Sequence, residues 1–145
     1  MDIVRVSDSD FEMAAAVYRT SWQESHRDVC TPEFLEKRDC AGYLRKKLGH
    51  LYMICGELPV GVFCLDGELF SDLYIHPDHQ GKGYGTACIS FAKSISPYLR
   101  LTVLSNNAKA IRLYEKAGFR FTGWDVPLQH GLSEREMAFQ SFNRK

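Results

Sequence analysis

No stretch of this chain approaches the ~18 consecutive apolar residues that a bilayer-spanning helix needs, and the opening MDIVRVSDSD lacks the apolar core of a secretion signal. A membrane location is therefore not expected, and the cytoplasm is. Charge of one sign is missing too. Eighteen Lys and Arg balance eighteen Asp and Glu, whereas a general nucleic-acid binder carries a basic excess, so no nucleic-acid partner is expected. Cysteine is sparse and unpatterned: the five residues form no CxxC pair, which suits reduced and mostly buried thiols, Cys64 and Cys88 being core filler in apolar stretches. His76 and His79 are spaced HxxH, but no CxxC or HExxH accompanies them and no metal is expected. With no repeat, low-complexity tract or Pro/Ser-rich linker, the 145 residues read as one domain over 1–145. What is present is enough apolar material, 45% of residues, to bury a core, and 25% charged residues to keep it in water.

The apolar residues fall in clear periods. Residues 3–6 form a short strand, and SDSD offers caps for a helix whose Phe11, Ala14, Ala15, Tyr18 and Trp22 make one stripe. Thr31-Pro32 reads as N-cap and first residue of a second helix running to about Gly49, with Leu35, Tyr43, Leu44 and Leu48 turned inward. LYMIC, VGVFCL and ELFSDLYIH are strands at 51–55, 60–65 and 68–76, the last two joined by Asp66-Gly67, a hairpin signal. After a glycine loop comes a helix burying Cys88, Phe91, Ala92 and Ile95, then a strand at 99–104. Asn107 next caps a helix that buries Ala110, Ile111, Tyr114 and Ala117 and ends at Gly118. Strands at 119–124 and 135–139 close the chain. The order β-α-α-β-β-β-α-β-α-β-β is that of a mixed sheet with helices on its faces.

The loop HPDHQGKGYG poses a chemical question. It is not a Walker A motif, since Lys82 is followed by Gly83 rather than Ser or Thr, and the third glycine of a dinucleotide fingerprint would fall on Thr86. A helix nevertheless begins near Gly83, straight after a strand. Its first amides lack intrahelical partners, its dipole adds positive potential, and the glycines let a bulky anion approach. Lys82 adds a full charge at the rim. A glycine turn that merely joins strand to helix remains the plain alternative.

A second segment bears on that choice. Gln80, Gly83 and Gly85, in Q-x-x-G-x-G after DLYIHPDH, are followed by N-x-x-A-x-x-x-Y-x-K-x-G-F at Asn107, Ala110, Tyr114, Lys116, Gly118 and Phe119. The two in this order resemble motifs A and B of the GNAT acyltransferase superfamily, across residues 71–121. The resemblance implies the GNAT fold, an α/β (α+β) arrangement with a mixed, mostly antiparallel central sheet flanked by helices. It implies acetyl-CoA as acetyl donor and cosubstrate, with Gln80, Gly81, Lys82, Gly83, Tyr84, Gly85 and Thr86 around the pyrophosphate, and the backbone of Leu73, Tyr74 and Ile75 pairing with the pantetheine arm. Asn107 would contact that arm and Tyr114 would protonate the departing thiolate. The base is less defined. Asp72 is the nearest carboxylate, one residue from a position some relatives use, here Ser71; Thr102 stands where some have Glu, and Glu68, Glu24 and His26 are weaker candidates. Trp22, Glu24 and His26 lie where relatives line the acceptor cleft. The expected reaction is direct attack of a primary amine, on a small molecule or a peptide, in a ternary complex. Partners are then acetyl-CoA and the amine, and a homodimer is left open. The rival readings are a non-catalytic CoA-binding regulator on the same fold and a nucleotide-binding module.

Overall fold

In a computed structural model of the chain, described for residues 1–141, the glycine-loop region sits at the open end of a seven-stranded sheet ordered β1-β2-β3-β4-β5-β7-β6. The strands are β1 (Asp2–Arg5), β2 (Leu51–Cys55), β3 (Pro59–Asp66), β4 (Leu69–Ile75), β5 (Tyr98–Leu104), β6 (Arg120–Pro127) and β7 (Ser133–Gln140). The helices are α1 (Phe11–His26), α2 (Pro32–Lys37), α3 (Cys40–Arg45), α4 (Tyr84–Ile95) and α5 (Ala108–Lys116). Every strand pair is antiparallel except β4 with β5. Among the described residues no helix is long and apolar enough to cross a membrane.

Strand alternation divides the core in two. Tyr52, Ile54, Phe63, Leu65 and Phe70 point to the face covered by α4 and α5, where they meet Cys88, Ile89, Ala92 and Phe119. Leu51, Met53, Val62 and Cys64 point to the face covered by α1 and α3, against Phe11, Ala14, Tyr18, Trp22, Cys40 and Leu44. The expected α1 stripe is thus buried, and Cys64 and Cys88 are core residues as expected. Each fully buried Phe or Leu contributes about 1.5–3 kcal/mol.

The structure differs from the sequence expectation in several places. On α5, Ala110, Ile111, Tyr114 and Ala117 are half-buried rather than buried, and so are Phe91, Leu35, Tyr43 and Leu48. The second helix does not run to Gly49. It stops at Arg38, whose backbone is extended, and restarts at α3 because Asp39 accepts the Gly42 amide at 2.9 Å as a new N-cap; a 3₁₀ turn at Leu48–His50 follows. The helix count before β2 is therefore three, not two. In α4, Ile95 is 52% exposed instead of buried, and Ile89 takes the core position.

Two features position the functional region. The parallel pairing of β4 and β5 consists of one register pair, Leu69 with Arg100, so the strands separate towards their C-terminal ends. In addition, β4 carries an extra residue opposite β3: Val62 pairs with Tyr74 and Cys64 with Ser71, leaving Asp72 and Leu73 against Phe63. Asp72 absorbs this bulge with φ of 54°, a left-handed conformation that Asp tolerates better than most residues.

Candidate functional site

The gap opened by β4 and β5 is lined on one side by strand backbone. His76 N–H donates to the Val60 carbonyl at 2.8 Å, so along the antiparallel ladder the polar groups of Tyr74 also face β3. Those of Leu73 and Ile75 then face the gap, and the Ile75 carbonyl indeed accepts from the Gln80 side chain at 3.0 Å. The Gln80 carbonyl oxygen in turn accepts from Lys109 on α5 at 2.9 Å. Gln80 therefore ties the end of β4 to α5 across the mouth of the gap, a scaffolding use not anticipated from the motif.

Helix α4 begins at the same mouth. Gly83 is its N-cap with φ of 88°, and no side chain caps it. The first intrahelical bond runs from Ala87 N–H to the Gly83 carbonyl at 3.0 Å, which leaves the amides of Tyr84, Gly85 and Thr86 without helical acceptors. A Cβ placed on Gly81 or Gly83 would meet no atom within 4 Å. Packing within the chain thus does not demand glycine there; left-handed backbone does, and the outer face of the loop stays open. Lys82 is exposed beside it. Gly85 is different: a Cβ there would lie 3.4 Å from Leu113 of α5 and 3.9 Å from Leu73 of β4, so it sets how closely the two helices and β4 converge.

On α5, Asn107 accepts the Ala110 amide at 3.2 Å through its side-chain oxygen, which is the capping role, and its amide nitrogen remains available. The C-terminus of α5 is closed by Gly118 at φ of 97° and by Lys93 of α4, which donates to the Ala117 carbonyl. Tyr114 packs against Phe119 with ring centroids 5.7 Å apart. Burial pushes its phenol well above the usual tyrosine value, with Tyr74 and Asp72 adding to the rise. The phenol thus feels groups on β4, and among the described residues it makes no hydrogen bond.

The other face of the gap holds an interlocked set of side chains. Asp72 turns towards α3, where Lys47 binds it at 2.6 Å, the Tyr43 hydroxyl donates to both its oxygens at 3.0 and 3.2 Å, and Ser71 donates at 3.3 Å. Its carboxylate is only 12% exposed. Burial works against charge on Lys47, but the bonds to Asp72 and Tyr43 outweigh it and hold the ammonium well above its ordinary value. Tyr74 points to this same face, edge-on to Tyr18 at 5.4 Å, and burial with the Asp72 charge pushes it up to about 12.

The sequence candidates on α1 part company. Trp22 and His26, one turn apart, stack at 4.2 Å with a 19° interplanar angle. Glu24, two residues from each, falls on the opposite side of the helix, exposed and paired with Arg27 at 2.9 Å. Burial, aided by the charge of Arg38, holds His26 below the usual histidine value against the opposing bond to the Trp22 carbonyl. Glu68 pairs with Arg100 at 3.0 Å, and Thr102 is exposed on β5. His76 spends its Nδ1 accepting the Asp78 amide at 3.1 Å, and among the described residues no cluster of three His, Cys, Asp or Glu is arranged for a metal.

Four residues of this region were not singled out for the site from the sequence: Arg38, Lys47 and Gly61, and Tyr43, which was read only as an inward-facing helix residue. A Cβ on Gly61 would lie 2.5 Å from Ile75 and 2.9 Å from the Tyr74 carbonyl, so the close approach of β3 to the C-terminal end of β4 requires glycine. Reading Asp39 as an N-cap would have placed Arg38 at a helix junction, the one available clue.

Residues 46–121, just over half of the chain, match the domain family described as acetyltransferase (GNAT) domain. Over 65 residues the chain is 38% identical to the peptidyl-lysine N-acetyltransferase YjaB of Salmonella typhimurium. That alignment covers 45% of each, so the chain matches about half the length of this curated relative. Among solved structures, apo-form YjaB from Escherichia coli is similar over 97% of both chains, with TM-score 0.75 and 27% identity. The PaiA N-acetyltransferase from Thermoplasma acidophilum, in complex with coenzyme A, is similar in fold with TM-score 0.76 at 17% identity, covering 96% of this chain and 98% of that one.

Proposed function

Because the chain belongs to the GNAT acetyltransferase family, we propose that it transfers the acetyl group of acetyl-CoA to a primary amine by direct attack in a ternary complex. The observation that carries this reading is the separation of β4 from β5 after a single pair, with the uncapped start of α4 at its open end. The amides of Tyr84, Gly85 and Thr86 bind the pyrophosphate, with Lys82 at the rim. The amide-rich pantetheine arm lies along Leu73 to Ile75 as a partial strand, and Asn107 donates to it through the nitrogen its cap leaves unused. CoA bound to PaiA supports the cofactor, and the relatives named for peptidyl-lysine support an amine on a peptide.

The acetyl thioester then lies in the gap, carbonyl oxygen towards a strand amide of Leu73 to Ile75 and sulfur towards Tyr114. Attack by the amine builds negative charge on that oxygen, which the fixed amide stabilises. Collapse expels the thiolate. Tyr114 is protonated at neutral pH and donates to the sulfur; burial makes it a weaker acid, so the transfer depends on close placement. Asp72 serves by holding the bulge and by its field on an incoming ammonium; the amine sheds its proton to water, because accepting it would require Asp72 to give up Lys47. Alignment of the reactants supplies much of the rate.

The test is transfer from radiolabelled acetyl-CoA to lysine-containing peptides and small amines, with product identified by mass. Binding of acetyl-CoA without transfer to any amine would favour the regulator reading, which the occupied Asp72 carboxylate suits; displacement of CoA by ATP would favour the nucleotide reading.

A further inference from the structure

Arg38 lies at the junction between α2 and α3, on the acceptor side of the gap. Its guanidinium rests over three rings, 4.2 Å from the centroid of Trp22, 4.7 Å from Tyr43 and 5.6 Å from Tyr18. A cation so stacked gains about 0.5–2 kcal/mol from the ring faces. Stacking uses the flat face of the guanidinium; of its five in-plane N–H groups some are taken by the Tyr18 hydroxyl and Cys40, and the rest are left to bind. One N–H reaches Cys40 Sγ at 3.2 Å. None reaches a carboxylate, because the acids around it are committed elsewhere: Asp39 caps α3, Asp72 holds Lys47 at 2.6 Å, and Glu36 pairs with Arg19 at 3.7 Å. Among the described residues Arg38 forms no ion pair. Asp72 neutralises Lys47, so this cluster of rings carries one uncompensated positive charge, from Arg38. The aromatic wall runs from there to the cofactor gap, since Tyr18 touches Tyr74 of β4.

We propose that Arg38 recognises a carboxylate on the acceptor, so that the preferred amine also bears an acid group. This rests on the acetyl-transfer reading above for what happens to the amine, but not for the binding of the carboxylate. A single cation with a planar fork matches a carboxylate in charge and shape, whereas a phosphate dianion would leave charge unmatched. The acid can come from the α-carboxylate of a free amino acid or from an acidic side chain beside a lysine in a peptide.

The experiment uses two matched pairs of acceptors: lysine against lysinamide, and end-blocked Gly-Lys-Glu-Gly against Gly-Lys-Gln-Gly. The parent is expected to favour the acid-bearing member of at least one pair by roughly 10- to 100-fold in kcat/KM, the scale of a charged hydrogen bond; the pair that responds identifies the source. Arg38→Gln is expected to remove the preference and Arg38→Lys to restore part of it. The ratio within a pair does not depend on how much of a variant is folded, so a purely structural role for Arg38 leaves it unchanged and overturns the proposal. Equal use of both members by the parent does the same. If no acceptor is acetylated, the transfer reading fails, and Arg38 is judged by binding: in a Trp124→Phe background, Trp22 emission is expected to respond to the acid-bearing members more than to the amides. Equal responses overturn the inference.

Discussion

On the α4 and α5 side of the gap the groups offered to a ligand are backbone amides at Tyr84 to Thr86 and strand edges at Leu73 and Ile75, whereas on the α1 and α3 side they are the side chains of Arg38, Tyr43, Lys47 and Asp72. The first set needs open space, and a Cβ at Gly81 or Gly83 would find nothing nearby. The second set is crowded, with ring stacking and an ion pair fixing each member against the others. A backbone site suits a ligand part that never changes, such as a pyrophosphate, and any sequence that makes the turn will do. A side-chain site suits a variable acceptor, because substitution can retune it without disturbing the helix proposed to hold the cofactor.

Four substitutions and conditions press on this contrast. The largest effect is expected for Tyr114→Phe, where kcat should fall by ~100-fold or more if the hydroxyl donates to the thiolate. Acetyl-CoA affinity by calorimetry should stay at the parental value, and thermal unfolding should shift little. Near-parental turnover in the folded variant would remove the acid from the cofactor side. Next, Gly83→Val should weaken acetyl-CoA binding by roughly 10-fold or more, since it puts a branched side chain beside amides that make charged hydrogen bonds. The left-handed backbone adds ~1–2 kcal/mol of instability. Unchanged affinity would reduce the loop to a turn.

Asp72→Asn addresses the crowded side. It leaves the Lys47 ammonium without its anion, and stability should drop by about 1–3 kcal/mol in chemical denaturation. Turnover of the folded fraction is expected to stay within ~10-fold of the parent, against ~100-fold or more for loss of a general base. A stable but inactive variant would return the base role to Asp72. The smallest effect concerns His26. Its folded pKa lies below that of the unfolded chain, so near pH 6.5 and below the unfolded state binds the proton first. The stability it contributes is complete above that pH and is lost as pH falls towards the folded value. Thermal unfolding between pH 8 and 5 should therefore show a steeper acid decline in the parent than in His26→Gln. Parallel profiles would show that burial of the His26 ring does not disfavour the proton.

The backbone of the half proposed to hold the cofactor was largely legible beforehand. Glycine spacing, the Asn107 cap and the Gly118 terminator are local signals, each a statement about φ or about an unpaired amide within one turn of the residue concerned. The acceptor half was legible only as far as helical period reaches. That period placed Trp22 in the buried stripe; carried two residues further, it would also have separated Glu24 from Trp22 and His26. The break at Arg38 was missed because Asp39 reads as an ordinary surface acid until its carboxylate is seen on the Gly42 amide. Ile95 was assigned to the core because periodicity shows which side of a helix is apolar, not how much of that side is covered.

By itself, the sequence determined the order of the strands, the stripe of α1, the glycine loop and the caps of α5. These follow from side-chain period and backbone φ, which act over a few residues. Tertiary structure alone decided that β4 bulges at Asp72 and parts from β5 after one pair. It also decided that the Asp72 carboxylate is taken by Lys47, twenty-five positions earlier, and that Arg38 stacks on Trp22 and Tyr43 without an acidic partner. Those outcomes depend on which distant groups packing brings within ~4 Å of one another, where Coulomb and ring interactions become strong enough to choose partners.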